Sequence, residues 1–173
     1  MDDTLDVFSF MQTLHAVKRY SRDEMKHQES VLEHTGCVVT YSLILAKKIE
    51  RLLPVKVNYS DLLTKAVVHD WDEVGTGDIP RTTKYASDVA LSAIKVLEEE
   101  SVRTIERYLN LKDMIVPVWM DSKDNTLEGQ IVKIADMSSV VYCIWHQIVR
   151  RSNFSFLRVS LEAQGQIDKL KVS

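Results

Sequence analysis

Directly after the apolar pair Val67 and Val68, the chain places His69, Asp70, Asp72, Glu73 and Asp78 within ten residues. The stretch closes on Gly75, Gly77 and Pro80, a turn signal. Packing gives no reason for so many carboxylates to follow a buried run, because burying each one is costly unless something positive sits among them. A divalent cation answers that need. Neutral imidazole and carboxylate oxygen are common ligands for such ions, and a helix end that opens into a loop leaves room for water and a substrate. Glu73 lies three residues after Asp70 and four after His69, so on a helix all three face one space. On the same reading Asp72 points away into solvent, and Trp71 packs or borders the pocket.

One His-Asp pair supplies only two ligands. The chain offers two more in suitable settings, His34 after Glu33 and Asp136 within the apolar run from Ile131 to Met137. An Asp inside so apolar a pattern needs a partner, either a metal ion or a buried Arg. The order His34, His69-Asp70, Asp136 resembles the HD-domain metal phosphohydrolases. The resemblance narrows through Arg19 with an aromatic after it, Glu33-His34, Glu73, the run Thr76-Gly77-Asp78-Ile79-Pro80 and Lys84-Tyr85. Together these look like the bacterial 5'-deoxynucleotidase (YfbR-type) branch, over roughly residues 15 to 140.

That resemblance implies one divalent ion held by His34, His69, Asp70 and Asp136, with cobalt or manganese favoured. The mixed ligand set also suits magnesium, zinc or iron. It implies Glu73 and Asp78 as the groups that position water or handle its proton, and Arg19 and Lys84 as cations facing the phosphate. Glu33, Asp121 and Tyr20 complete the substrate side, Tyr20 standing where the family usually has a Trp that packs against C2'. The activity implied is hydrolysis of deoxynucleoside 5'-monophosphates to deoxynucleoside and phosphate. The alternative is a deoxynucleoside triphosphate triphosphohydrolase with the same ligands, with Lys84, Arg81, Lys18 and Arg22 as cations for the longer phosphate chain. A further alternative, a non-catalytic nucleotide-binding HD domain, would need a broken ligand set, and this one is intact.

The elements that must carry these groups are helices. Five glycines, three prolines and no sustained alternating pattern predict an all-α single domain over 1–173, a bundle of about six or seven helices around the metal. A first helix is marked by Phe8, Met11, Leu14 and Val17. Ser30 with Glu33 reads as a capping box for a second, which runs to Leu53 and stops at Pro54. Asn58 caps a third. Ser87 to Leu109 forms a long amphipathic helix with Glu98, Glu99 and Glu100 as a solvated face. A short or broken helix containing Pro117 follows, then a helix from Leu127 that carries Asp136, and a helical cover over 141–173.

A net charge of −3 argues against a surface for nucleic-acid polymers, though not against a small anion. No apolar run reaches the ~18 residues of a membrane span, and the acidic start Met1-Asp2-Asp3-Thr4 does not read as a signal peptide. Cys37 and Cys143 form no paired metal motif and read as buried thiols, which suggests a cytoplasmic protein. Homodimerisation is common in the resembled family and is a possibility here.

Overall fold

The computed structural model describes residues 3–170. Met1, Asp2 and residues 171–173 lie outside the described residues, including the outer limits of the expected 1–173 domain and the first residues of the acidic start. Among the described residues there is no strand, and six helices run ten residues or more: α1 (Asp3–Ala16), α2 (Val31–Leu52), α3 (Tyr59–Val68), α6 (Asp88–Tyr108), α8 (Leu127–Trp145) and α9 (Leu157–Leu170). Three short helices, α4 (Glu73–Thr76), α5 (Arg81–Lys84) and α7 (Ile115–Met120), connect them. A π-helical turn (His146–Arg150) and a 3-10 turn (Phe154–Phe156) join α8 to α9.

Local sequence sets where the helices begin. The Ser30 hydroxyl accepts the Glu33 N–H, and the Glu33 carboxylate accepts the Ser30 N–H, so the capping box that opens α2 is complete. The side chains of Asn58, Ser87 and Thr126 accept the N–H three residues on and start α3, α6 and α8 in the same way. The centre of the molecule is the packing of α2 against α3 and α8, where Val38, Leu62, Ala66, Ile131, Val132 and Ala135 are buried. These are the faces from which His34, His69 and Asp136 project, so the core that holds the bundle together also holds the site.

The first helix buries only part of the stripe that its three-residue spacing predicted, Leu14 being buried and Val17 half-buried. Phe8 and Met11 are exposed, and Phe10 and Leu14 are buried against Val31 and Ile105. At 3.6 residues per turn, steps of three drift steadily off one face, whereas the four-residue pair Phe10 and Leu14 stays on it. Trp71 packs as expected, edge-on to Phe10 with ring centroids 4.8 Å apart. After α1 the chain forms an isolated antiparallel bridge between Lys18 and Ser30. In it the Arg19 N–H donates to the Glu29 carbonyl, and the Val31 N–H to the Val17 carbonyl, both at 3.0 Å. The bridge fixes Arg19 beside the start of α2.

The last segment covers the bundle. Phe156 is fully buried with Cys143, Ile144, Val159 and Ala163, and Tyr20 packs against this group. Both cysteines are free; Cys143 is buried and Cys37 half-buried. None of the described helices is long and apolar enough to cross a membrane.

Candidate metal centre and cleft

Helix α3 ends at Val68, with His69 as its C-cap, and the chain then tightens. Trp71, Glu73 and Val74 donate their N–H groups to the carbonyls three residues back, Val68, Asp70 and Trp71. With three residues per turn, residues three apart lie in register. Asp70 and Glu73 therefore share a face, as expected, but so do His69 and Asp72. Asp72 is consequently buried rather than solvated, and it accepts the Trp119 indole N–H at 2.9 Å.

His34 from α2, His69 and Asp70 from the end of α3, and Asp136 from α8 converge. The His34 Nε2 lies 3.3 Å from Asp70 Oδ2 and 3.2 Å from Asp136 Oδ1, and the His69 Nε2 lies 3.1 Å from Asp70 Oδ2. The two Nε2 atoms are 3.4 Å apart. Each ring is held through its other nitrogen: His34 Nδ1 meets the Ser139 hydroxyl at 3.0 Å, and His69 Nδ1 meets the Ala66 carbonyl at 2.9 Å. The Ala66 carbonyl can only accept, so it sets His69 as the Nδ1–H tautomer, and both contacts turn Nε2 toward the centre. One donor atom each from His34, His69 and Asp136 lies within 4.8 Å of the others, a spacing that one cation bridges. Two buried imidazoles and two carboxylates, with the rings oriented from behind, are a donor set that fits a divalent ion.

Charge around the centre is graded. Burial works against the ionised form of Asp70, but His69, Lys123 and His34 hold its carboxyl well below the usual range. Desolvation likewise opposes the charge of half-buried Asp136, which is held low chiefly by Lys123. Glu73 goes the other way: burial, with Asp70 beside it, pushes its carboxyl well above the usual range. Its Oε2 is buried and has no hydrogen-bond partner. Burial and Asp70 also push the Asp72 carboxyl up to about 7.

These groups line a cleft of about 890 Å³. Arg19 enters it from the bridge, its Nη1 donating to Asp70 Oδ2 at 3.2 Å and its Nε lying 3.5 Å from Glu29. Tyr20 forms a wall, its ring edge-on to Phe156 with centroids 5.3 Å apart. Its backbone is left-handed (φ 55°), and its N–H donates to Asp78 Oδ2 at 2.6 Å. Asp78 therefore reaches the cleft and spends one oxygen on the Arg19 loop. Gly77, also left-handed (φ 69°), makes the turn that brings it there. Lys84 lines the cleft in an ion pair with Glu98 at 2.6 Å. Glu98 is buried and does not belong to the solvated face assigned to it; only Glu99 and Glu100, paired with Arg103 and Arg107, lie on that face.

Two expected substrate residues are not in the cleft. Glu33 is half-exposed, is committed to the capping box and lies 3.8 Å from His27. Asp121 is exposed at the end of α7. The loop sends Ser122 and Lys123 inward instead. Lys123 was absent from the sequence reading. Its Nζ lies 2.6 Å from Asp136 Oδ2 and 3.6 Å from Asp70 Oδ1, a cationic partner for Asp136 other than the metal ion or buried Arg that the sequence suggested. The only signal for it was the unexplained polar loop before a ligand-bearing helix.

Comparison with known proteins shows the family to which the chain belongs. The model of the 5'-deoxynucleotidase YfbR-like family matches residues 6–173, so the chain belongs to that family, and the match takes in the C-terminal cover as well as the motifs. It is accordingly a hydrolase, an HD-domain phosphohydrolase. The 5'-deoxynucleotidase YfbR of Photorhabdus temperata is 27% identical over 158 residues, covering 90% of this chain and 80% of that protein. Its Escherichia coli counterpart is 24% identical over 159 residues with the same coverage. In fold, the chain resembles an HD-domain phosphohydrolase of Listeria innocua (TM-score 0.77, 24% identity, 97% of this chain and 81% of that one). It also resembles a conserved hypothetical protein of Pyrococcus furiosus (TM-score 0.72, 20% identity, 93% and 90%).

Proposed function

We propose that the protein is a metal-dependent 5'-deoxynucleotidase that hydrolyses deoxynucleoside 5'-monophosphates to deoxynucleoside and phosphate. The observation that carries the reading is the convergence of His34, His69, Asp70 and Asp136 beside a fixed guanidinium, with an unpartnered buried carboxyl oxygen facing the same cleft. The four residues would hold one divalent ion, cobalt or manganese by family likeness. When bound, the ion supplies a Lewis acid for the phosphoryl group and acidifies water.

The remaining work falls to side chains. Arg19 presents a planar fork suited to phosphate oxygens, held at its position by Glu29 and the bridge. The Glu73 carboxyl stands beside Asp70 with a free oxygen, in reach to orient water and take its proton. Asp78 fixes the backbone of Tyr20 and so sets the wall that the sugar meets. Tyr20 packed on Phe156 is the surface proposed to exclude a 2'-hydroxyl.

Family likeness, rather than cation supply, favours a monophosphate over a triphosphate. Of the four cations considered for a longer phosphate chain, Lys18 bonds the His15 carbonyl and does not line the cleft, and Lys84 is neutralised by Glu98. Arg81 lies over the Tyr85 ring at 4.6 Å. A triphosphate carries about four negative charges that need partners; Arg22 and Arg81 also line the cleft, so the triphosphohydrolase stays the second reading. Free thiols in apolar surroundings support a reducing, cytoplasmic setting. The test is to incubate protein loaded with cobalt or manganese with deoxynucleoside monophosphates, triphosphates and ribonucleotides, and to separate the products. Orthophosphate from the deoxy monophosphates, with triphosphates intact and AMP cut far more slowly than dAMP, is expected. Tripolyphosphate from a triphosphate would replace this reading with the triphosphohydrolase.

A further inference from the structure

The two aspartates of the centre each turn one oxygen to the histidines and the other to Lys123, and Asp70 Oδ2 also accepts from Arg19 Nη1 at 3.2 Å. Asp70 Oδ2 and Asp136 Oδ1 face the histidine pair, at 3.1 to 3.3 Å from a ring nitrogen. The opposite oxygens, Asp70 Oδ1 and Asp136 Oδ2, face the Lys123 ammonium at 3.6 and 2.6 Å. Lys123 thus sits on the far side of both carboxylates from the imidazoles. Its side chain is 35% exposed, and the two carboxylates are its ion-pair partners. Its own position is prepared. It belongs to the loop between α7 and α8, whose Asp124 is tied to the buried Lys65 at 3.2 Å and to the Thr126 N–H and hydroxyl.

We propose that Lys123 is a positioning residue of the metal centre: it grips the outward oxygens of Asp70 and Asp136, so that each carboxylate offers a single oxygen to the ion. A carboxylate with both oxygens free swings or chelates through two atoms, whereas one anchored from behind presents one oxygen in a fixed direction. The lysine also places a positive charge among acids that would otherwise repel one another before the ion arrives. The inference rests on the metal reading of His34, His69, Asp70 and Asp136. A compact ammonium suits the role, because it meets both carboxylates as a point charge with three donors.

The experiment measures equilibrium affinity for manganese and cobalt by competition with a chelator, in wild type, Lys123→Met, Lys123→Gln and Lys123→Arg. His69→Ala serves as the site control. Loss of such backing contacts costs about 10–100-fold in metal affinity. The Met and Gln variants should fall in that range, with Lys123→Arg recovering part of it. The visible spectrum of the cobalt form should change in the Met and Gln variants as the carboxylates change their mode of binding. Thermal melting of the metal-free variants separates folding from binding, and if Lys123→Met does not fold, Lys123→Gln carries the same expectation. Unchanged affinity and spectrum in a folded variant would overturn the proposal. Tighter binding would also overturn it, since Lys123 would then be a competitor for the ion. Wild type that binds no metal, or His69→Ala that binds as wild type does, would instead remove the metal reading itself.

Discussion

Within one short turn, neighbouring carboxylates have been given opposite characters. Against burial, His69 and Lys123 hold the Asp70 carboxyl well below the usual range, whereas burial and Asp70 push that of Glu73 well above it, which makes its carboxylate the stronger base. Glu73→Gln preserves shape but removes the base. It should lower kcat by about 10²–10⁴ while metal affinity, read by chelator competition, stays as in wild type. Metal loss in that variant would make Glu73 a ligand. Asp72 allows a second prediction. Its folded pKa is raised to about 7, so its ionisation is unfavourable in the native state. It costs no stability below the ordinary carboxylate pKa of about 4, costs progressively more as pH rises toward 7, and costs a constant amount above that. Asp72→Asn retains an acceptor for the Trp119 N–H and should raise the stability of chelator-treated protein at pH 8, by at most ~4 kcal/mol. At pH 4.5 the gain should shrink to about 1 kcal/mol, and an equal gain at both pH values would contradict the assignment. Asp72 also shows what the sequence concealed. The candidate ligands stood in the sequence as residue types in order, but their directions came from a helical wheel, and the chain past Val68 turns with three residues rather than 3.6.

At the level of elements, helix starts were the most legible features, because a cap is a local bond between residues three apart. Ser30 and Glu33, Asn58, Ser87 and Thr126 all act as their types suggest. The loop over 121–126 was the least legible, since what fixes it is distant in sequence. Lys65, buried in α3, donates to Asp124 and to the Thr126 hydroxyl and pairs with Asp61. Asp124 in turn fills the space where Gly129 lacks a side chain. No local pattern announces a lysine 59 residues away as the anchor of a loop. Removing one partner from a buried polar cluster leaves the others unsatisfied, so Lys65→Met should destabilise by about 1–3 kcal/mol. That would appear as a lower urea midpoint at unchanged slope. Because the same loop carries Lys123, the variant should also bind metal more weakly. Lost stability with undiminished affinity would uncouple the loop from the centre.

Over the whole molecule, the C-terminal cover contributes to the cleft. Val159 and Ala163 of α9 line it, and Phe156 supports the ring of Tyr20. The sequence identified a helical cover but gave it no part in the site, since Phe156 and Tyr20 are far apart in the chain and neither carries a motif of its own. Phe156→Ala should cost about 3–5 kcal/mol and, in protein still folded, should narrow the ratio of dAMP to AMP turnover. A variant that melts early yet discriminates as wild type does would show that Tyr20 holds its place without that support. The cleft is also closed by a clasp of two loops. The Tyr20 N–H donates to the Asp78 carboxylate 58 residues away, and no helix protects it. In deuterated water that proton leaves only when the two loops part, whereas amides in the centre of α2 wait for the bundle to open. A single exchange rate therefore times the opening of the mouth separately from unfolding, and a ligand that seals the cleft slows this clock while leaving the slower ones untouched.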